Sequence, residues 1–406
     1  MKNLFILLLV LQCSFSFSQD IKIKSLKVFA NKDANSIPVL NGNGDLLVID
    51  FDLQADSPPN LNIIFKFCDR NWNVSDNIFL QNQGKNSAYL LDYNYLPTTV
   101  KDADYHYLNK FPDKDGYVDF PFSGKWKFYV VDSQNPSVVY AEGKFFVVIA
   151  DGSLKVTVKK ETLDDKLYSP PQLAYSNWII VEPELVQDFF PHFIDQVEII
   201  KNHLIYNPIN ILRTSTDQNR NFEWDGASKL KFTAKDVRPG NEYRQVNMMN
   251  INVYNSANVK AQFDGMEYTR FYKQGAKDLN GGFNLMQPKD INSNYMNVNF
   301  QIKPPDEVYG DVYLAGAFND WQLSEKNKMN FNGDYFELPV ELKRGVYDYQ
   351  YVVVNGDYNL ETNQDWYVLE GNDWQTSNEY NIFLWYRDTE FGGYDRIIGY
   401  SKIKAK

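Results

Sequence analysis

The chain has 406 residues and sets 52 acidic against 41 basic side chains, a formal charge of -11. That balance repels phosphate backbones and anionic lipid headgroups and argues against nucleic acid or a membrane surface as partner. With 44% apolar and 16% aromatic residues, the chain can bury several cores, which excludes a disordered or collagen-like polymer.

In chain order, residues 1–18 read as an export signal. Lys2 supplies a positive start, Leu4 to Leu11 a short apolar run, and Ser16 and Ser18 the small residues before a cut at Gln19. The apolar run is well below the roughly 20 residues that a membrane span requires, and no later segment approaches that length. Cys13 leaves with the signal; Gln12 before it is unlike the small residue that precedes a lipid-modified cysteine. Only Cys68 remains, so no intrachain disulfide is possible.

From there the chain reads as strands. Aromatic and β-branched runs occur at Leu61 to Phe67, Lys125 to Asp132, Lys144 to Ile149, Leu154 to Val158, Gln196 to Lys201, Lys229 to Ala234, Gln245 to Val253 and Glu379 to Arg387, divided by Asn, Asp, Gly and Pro clusters. The clearest alternation is Tyr335 to Leu342, where Pro339 marks an edge. Lys343, Arg344 and Gly345 predict a turn back into Val346 to Val354, a β-hairpin with Tyr347, Tyr349 and Tyr351 on one face. The best helical candidate, Glu184 to Phe190, is short and stopped by Pro191. The expected fold is all-β, with tandem immunoglobulin-like β-sandwich domains: an N-terminal sandwich at 19–150, a middle β-rich domain at 151–290 and a C-terminal immunoglobulin-like domain at 291–406.

The chemistry-bearing residues are sparse. His106, His192 and His203 are widely spaced, with no HExxH or CxxC partner, and read as ordinary core or surface histidines. Glu361, Asp365 and Asp373 share a stretch with Trp366, Tyr367 and Trp374, either a sugar-binding surface or a solvated loop with its aromatics turned inward. Gly281 and Gly282 in DLNGGF read as a turn between strands, not a phosphate cradle. Cys68, alternating with Phe65 and Phe67, reads as a structural thiol, and Glu242 with Arg244 in GNEYR as a salt bridge holding a turn. No catalytic, cofactor or metal residue is assigned.

Two resemblances follow. GDVYLAGAFNDW (310–321) with GDYFELPVELKRGVYDYQYVV (333–353) is similar to the glycogen-binding modules of AMP-activated kinase β subunits and starch-branching enzymes, which are immunoglobulin-like. In those modules a Trp, a Lys and a second Trp grip a glucan; here Trp321 matches, while Gln350 and Tyr358 occupy the other two positions. FKFCDRNW (65–72), YHYLNKFP (105–112), SGKWKFYV (123–130), GNEYR (240–244), DLNGGF (278–283), LKRGVYDYQYV (342–352) and SNEYNIFLWYR leading to YDRIIGY (394–400) occur in an order that resembles the plug protein of the Bacteroidota type IX secretion system.

That resemblance implies a non-enzymatic periplasmic protein, without cofactor, that closes the outer-membrane translocon barrel when no substrate is in transit. Neither membrane insertion, nucleic acid nor a small-molecule ligand is expected. Tyr105, Tyr107, Trp366 and Trp374 are then candidate partner contacts, with core packing as the alternative for each. The rival reading is a periplasmic carbohydrate-binding accessory protein with glycan contacts at Trp321 and Tyr358; a glycan-active enzyme would instead need two facing carboxylates.

Overall fold

A computed structural model describes residues 20–42, 44–149, 152–162, 174–186, 189–263, 265–271, 273–306, 308–355 and 363–405. The expected export signal, Tyr358 and Glu361 lie outside them. The described residues are strands, turns and short 3-10 segments, with no α-helix among them.

Alternation builds the first sandwich. In Leu61–Cys68 the side chains of Leu61, Ile63, Phe65 and Phe67 all point into the core, as a pleat of period two requires. This strand lies in a sheet ordered Val39–Leu40, Val139–Val147, Gly124–Asp132, Leu61–Cys68 and Ser87–Ala88. The facing sheet is ordered Lys22–Ala30, Leu47–Gln54, Tyr105–Phe111 and Asn94–Tyr95. Phe65 meets Phe111, Phe120 and Phe145 edge-on between the two, the geometry that ring quadrupoles favour.

Two more sandwiches follow, and strand pairing crosses the expected boundary between them in both directions. The second joins Ser153–Thr162, Tyr175–Glu184, Leu230–Val237 and Arg220–Trp224 in one sheet; the other is ordered Ile209–Leu212, Ile194–Lys201, Asn378–Asp388 and Tyr394–Ala405. The last two strands therefore close the core begun by residues 152–237, with Ile382 and Leu384 packed among Ile179, Val197 and Phe232. Conversely Arg244–Asn247, Asn258–Lys260 and Phe283–Leu285 pair within the third sandwich. The third sandwich is thus inserted into the second.

The expected hairpin is not one. Phe336–Lys343 pairs with Tyr295–Lys303, whereas Gly345–Val354 pairs with Arg244–Asn247, Phe283–Leu285 and Asp311–Gly316 in the opposite sheet. Arg344 alone separates the two strands, too short a link for a hairpin loop. Its guanidinium donates to the carbonyls of Asn292, Met248 and Tyr254, pinning the crossing. Tyr347, Tyr349 and Tyr351 do share a buried face. Two further expectations change: the strand at Gln245 to Val253 ends at Asn247, and the described part of Glu184 to Phe190 is not helical.

Cys68 is fully buried and its thiol is pushed up to about 11 by burial. A native sample should resist maleimide for hours and label fully once unfolded; rapid labelling of the folded protein would contradict this placement.

Candidate functional site

Each candidate contact residue can now be placed. Tyr105 and Tyr107 are not loop aromatics: they sit on Tyr105–Phe111, buried in the first core, with Tyr107 stacked on Phe51 at 4.9 Å. Tyr93 and Tyr95 lie over them, with ring centroids 5.3 Å (Tyr93 to Tyr105) and 5.4 Å (Tyr95 to Tyr105) apart. Trp321 is 3% exposed, packs on Tyr243 at 4.3 Å and donates its indole N–H to the Gly281 carbonyl at 2.8 Å, so no face is open to a sugar. Gly281, at φ +90° in the expected DLNGGF turn, is the conformation that turn requires. Trp366 is half-buried and lines a cavity of about 160 Å³ with Lys201, Tyr243 and Tyr367. Trp374 is 50% exposed and stacks on Tyr175 at 6.0 Å, with the Lys160 ammonium 4.9 Å from its ring.

The histidines do not converge. His106 donates from Nδ1 to Asp52 at 3.0 Å, His203 lies 3.0 Å from the Asn35 carbonyl, and His192 is exposed beside Phe193. Among the described residues no three His, Cys, Asp or Glu side chains are placed to share a metal. Nor does any described helix have the length and apolarity to cross a membrane.

Buried ion pairs tie the first sandwich to the other two. Between first and second, Lys125 donates to Glu198 at 2.7 Å and to the Arg70 carbonyl at 2.7 Å; Glu198 also accepts the Trp385 indole N–H at 3.0 Å. The Lys125 ammonium faces Trp72 and Trp385 at 4.8 and 5.3 Å, a desolvated cation held by two hydrogen bonds and the ring faces. Between first and third, Asp52 accepts from Lys343 at 2.6 Å, Tyr295 at 2.8 Å and His106. Burial works to raise the Asp52 pKa, but His106, Lys343 and Tyr295 together hold it below the ordinary aspartate value. The second and third meet where Asn202 donates to the Tyr243 hydroxyl at 3.2 Å and Glu242 accepts the Ser377 amide at 2.9 Å. Arg244 does form a salt bridge, but with Glu267 and Glu370 and not with Glu242.

A second carboxylate arrangement is paired with no cation among the described residues. Asp278 accepts the Tyr243 and Asn280 amides; Asp348 accepts those of Leu279 and Gly281 and the Gln245 side chain. Burial first, and then the neighbouring Asp348, push Asp278 to about 8; burial pushes Asp348 to about 6. Because the folded values exceed the unfolded ones, the native state holds protons that the unfolded chain has released, and stability falls as pH rises towards 8. His203, whose pKa is lowered by burial, acts in the opposite sense but only below its unfolded value of about 6.5. Lys27, Lys144 and Lys201, each lowered to about 8 by burial, act in the opposite sense as pH approaches 8, so the aspartates are read as a difference between proteins: from about pH 5 to 8 the urea midpoint of the parent should fall relative to that of Asp278→Asn, and parallel profiles for the two proteins would refute the assignment.

Residues 23–149 match the family described as Type 9 secretion system plug protein 1st domain. The first sandwich is similar to that domain. The boundaries of the plug first domain coincide closely with the core that Phe65, Phe128 and Phe145 define, and the family is a secretion-system component rather than an enzyme family. The whole fold is similar to that of a hypothetical protein from Parabacteroides merdae ATCC 43184, a crystal structure at 22% identity and TM-score 0.76, covering 95% of this chain and 99% of that one. No curated protein matches the chain. Sequence reasoning overlooked the tyrosines that lie over Tyr105 in the plug first domain. The signal was present in SAYLLDYNYLP (87–97), where three tyrosines crowd a segment without the sustained alternation of a core strand.

Proposed function

We propose that this protein is a periplasmic plug that closes the pore of the type IX secretion outer-membrane translocon when no substrate is being transported. The observation that carries the reading is the plug first domain at residues 23–149. The mechanism it implies is occupancy: a domain of about 110 residues has a radius of gyration near 13 Å, so three joined sandwiches can obstruct a wide aqueous opening that a single one would leave ajar. A stopper needs stiffness, and buried ion pairs at the two faces of the plug first domain supply it, because either charge without its partner is strongly disfavoured away from water. It must also be able to leave, which suits a moderate, partly polar contact with the barrel.

The test is purification of the translocon from cells carrying a tagged plug, followed by imaging. The plug density should sit at the periplasmic mouth of the barrel, and deletion of the plug should make the outer membrane leaky to large solutes only when the barrel is present. Recovery of the barrel without the plug, together with unchanged permeability in the deletion strain, would overturn the reading.

A further inference from the structure

The plug first domain carries an exposed aromatic strap. Leu91 and Leu96 anchor residues 89–95 in buried positions, and between and before these anchors Tyr89, Leu90 and Tyr95 are 68%, 63% and 72% exposed. Tyr93 stands between them, its ring 5.6 Å from Tyr95 and 5.8 Å from the buried Tyr107. The strap is therefore not a loose loop. Its rings are braced edge-to-face on one another and on the core, which removes most of the ordering cost of presenting them.

Exposed tyrosines braced in this way are an interface signature: a large amphipathic contact surface with few rotamers to freeze. The rim gives the patch a sign. Asp92 lies within the strap; Asp104 is exposed, its carbonyl accepts the Leu96 amide at 2.9 Å and its carboxylate accepts the Ala55 amide at 3.1 Å, which brings it beside exposed Asp56. Carboxylates beside open aromatic faces favour a cation, which gains from both the ring quadrupole and the negative charge. A neutral glycan would gain nothing from that charge.

We infer that the strap Tyr89–Tyr95, with Asp56, Asp92 and Asp104 at its rim, docks an arginine- or lysine-bearing segment of a protein partner. This rests on the plug reading, to which it adds the chemistry of the contact. The arginine or lysine would lie across Tyr95 and Tyr93, its charge answered by Asp92 and Asp56.

The test uses the protein without residues 1–18 and a fluorescein-labelled peptide of alternating arginine and glycine, followed by anisotropy. Tyr93→Ala with Tyr95→Ala, and separately Asp56→Asn with Asp92→Asn, should each weaken binding by about tenfold. Neutralising Asp217 and Asp225, exposed acids of the second sandwich, should change it by less than about twofold. Tyr95→Ala alone, at the most exposed of these rings, guards against misfolding of the double variant. Equal binding by strap variants and parent overturns the proposal, as does competition by maltoheptaose, which would mark the strap as a sugar platform. The measurement needs no barrel. A strap that binds the peptide in a protein that never copurifies with the translocon would refute the plug reading alone, and a plug whose strap variants bind normally would refute the strap alone.

Discussion

Replacing Arg244 with methionine will cost about 3–5 kcal/mol of folding stability at neutral pH, because it takes the cation from buried Glu267 and one of two from buried Glu370. Arg244 Nε lies 2.9 Å from both oxygens of Glu370, and Nη1 lies 2.8 Å from Glu267, which also accepts the hydroxyls of Tyr349 and Tyr351. In the variant Glu370 would keep Arg270, at 3.1 Å, and the Tyr351 amide, at 2.9 Å. Burial alone would raise the Glu370 pKa, but Arg244 and Arg270 outweigh it and hold the carboxyl below its ordinary value. A carboxylate with a depressed folded pKa stabilises above its unfolded value, near 4.3, and that contribution is lost as pH falls. The deficit of Arg244→Met should therefore be largest at pH 7 and shrink below about pH 4. Arg244→Lys should fall between parent and Met, since lysine keeps the charge without the planar fork that reaches both acids. Denaturant titrations at the two pH values check this; a deficit under about 1 kcal/mol at pH 7, the range of an exposed pair, would mean that the cluster is not held as described.

Lys343→Met should rank second, again at about 3–5 kcal/mol, with a consequence for shape that Arg244→Met lacks. Lys343 belongs to the third sandwich and Asp52 to the first, so the variant leaves an unanswered carboxylate on the face where the two meet. Tyr295 and His106 can still donate to it, but neither brings the permanent charge of lysine. Pairing the change with Asp52→Asn should restore much of the loss, because no charge then remains buried. Limited proteolysis should cut between the first sandwich and the rest in Lys343→Met and spare the double variant. Equal protease resistance in parent and single variant would show that apolar contacts such as Leu96 against Tyr295 hold the junction without the ion pair.

Alternation in the sequence was a sound guide to which residues face inward. Phe65 and Phe67 in one strand, and Tyr347, Tyr349 and Tyr351 in another, occupy the buried faces their spacing predicts. It carried no information about which strand lies beside which. Phe336–Lys343 and Gly345–Val354 read equally well as a hairpin or as a crossing between sheets, and the difference lies in the Arg344 guanidinium reaching carbonyls at 248, 254 and 292. Tyr105 and Tyr107 were ambiguous for a related reason: tyrosine serves a core or a contact surface, and the outcome depends on Tyr93 and Tyr95 covering them. Trp321 lost its candidacy as a glucan contact to Gly281, which accepts its indole N–H from 40 residues away.

The insertion of the third sandwich into the second dictates an order of assembly. The sheet opened by Ile194–Lys201 has its edge against Ile209–Leu212 early, but its other neighbour, Asn378–Asp388, is synthesised only after the entire intervening unit. Until then Val197 and Ile199 lack the cover of Ile382 and Leu384, and a chain emerging from its N-terminus must keep that half-built layer unpaired while a whole neighbour folds. A chain interrupted before residue 378 would consequently present an open apolar sheet, a substrate for quality-control proteases, while its first sandwich could already be complete.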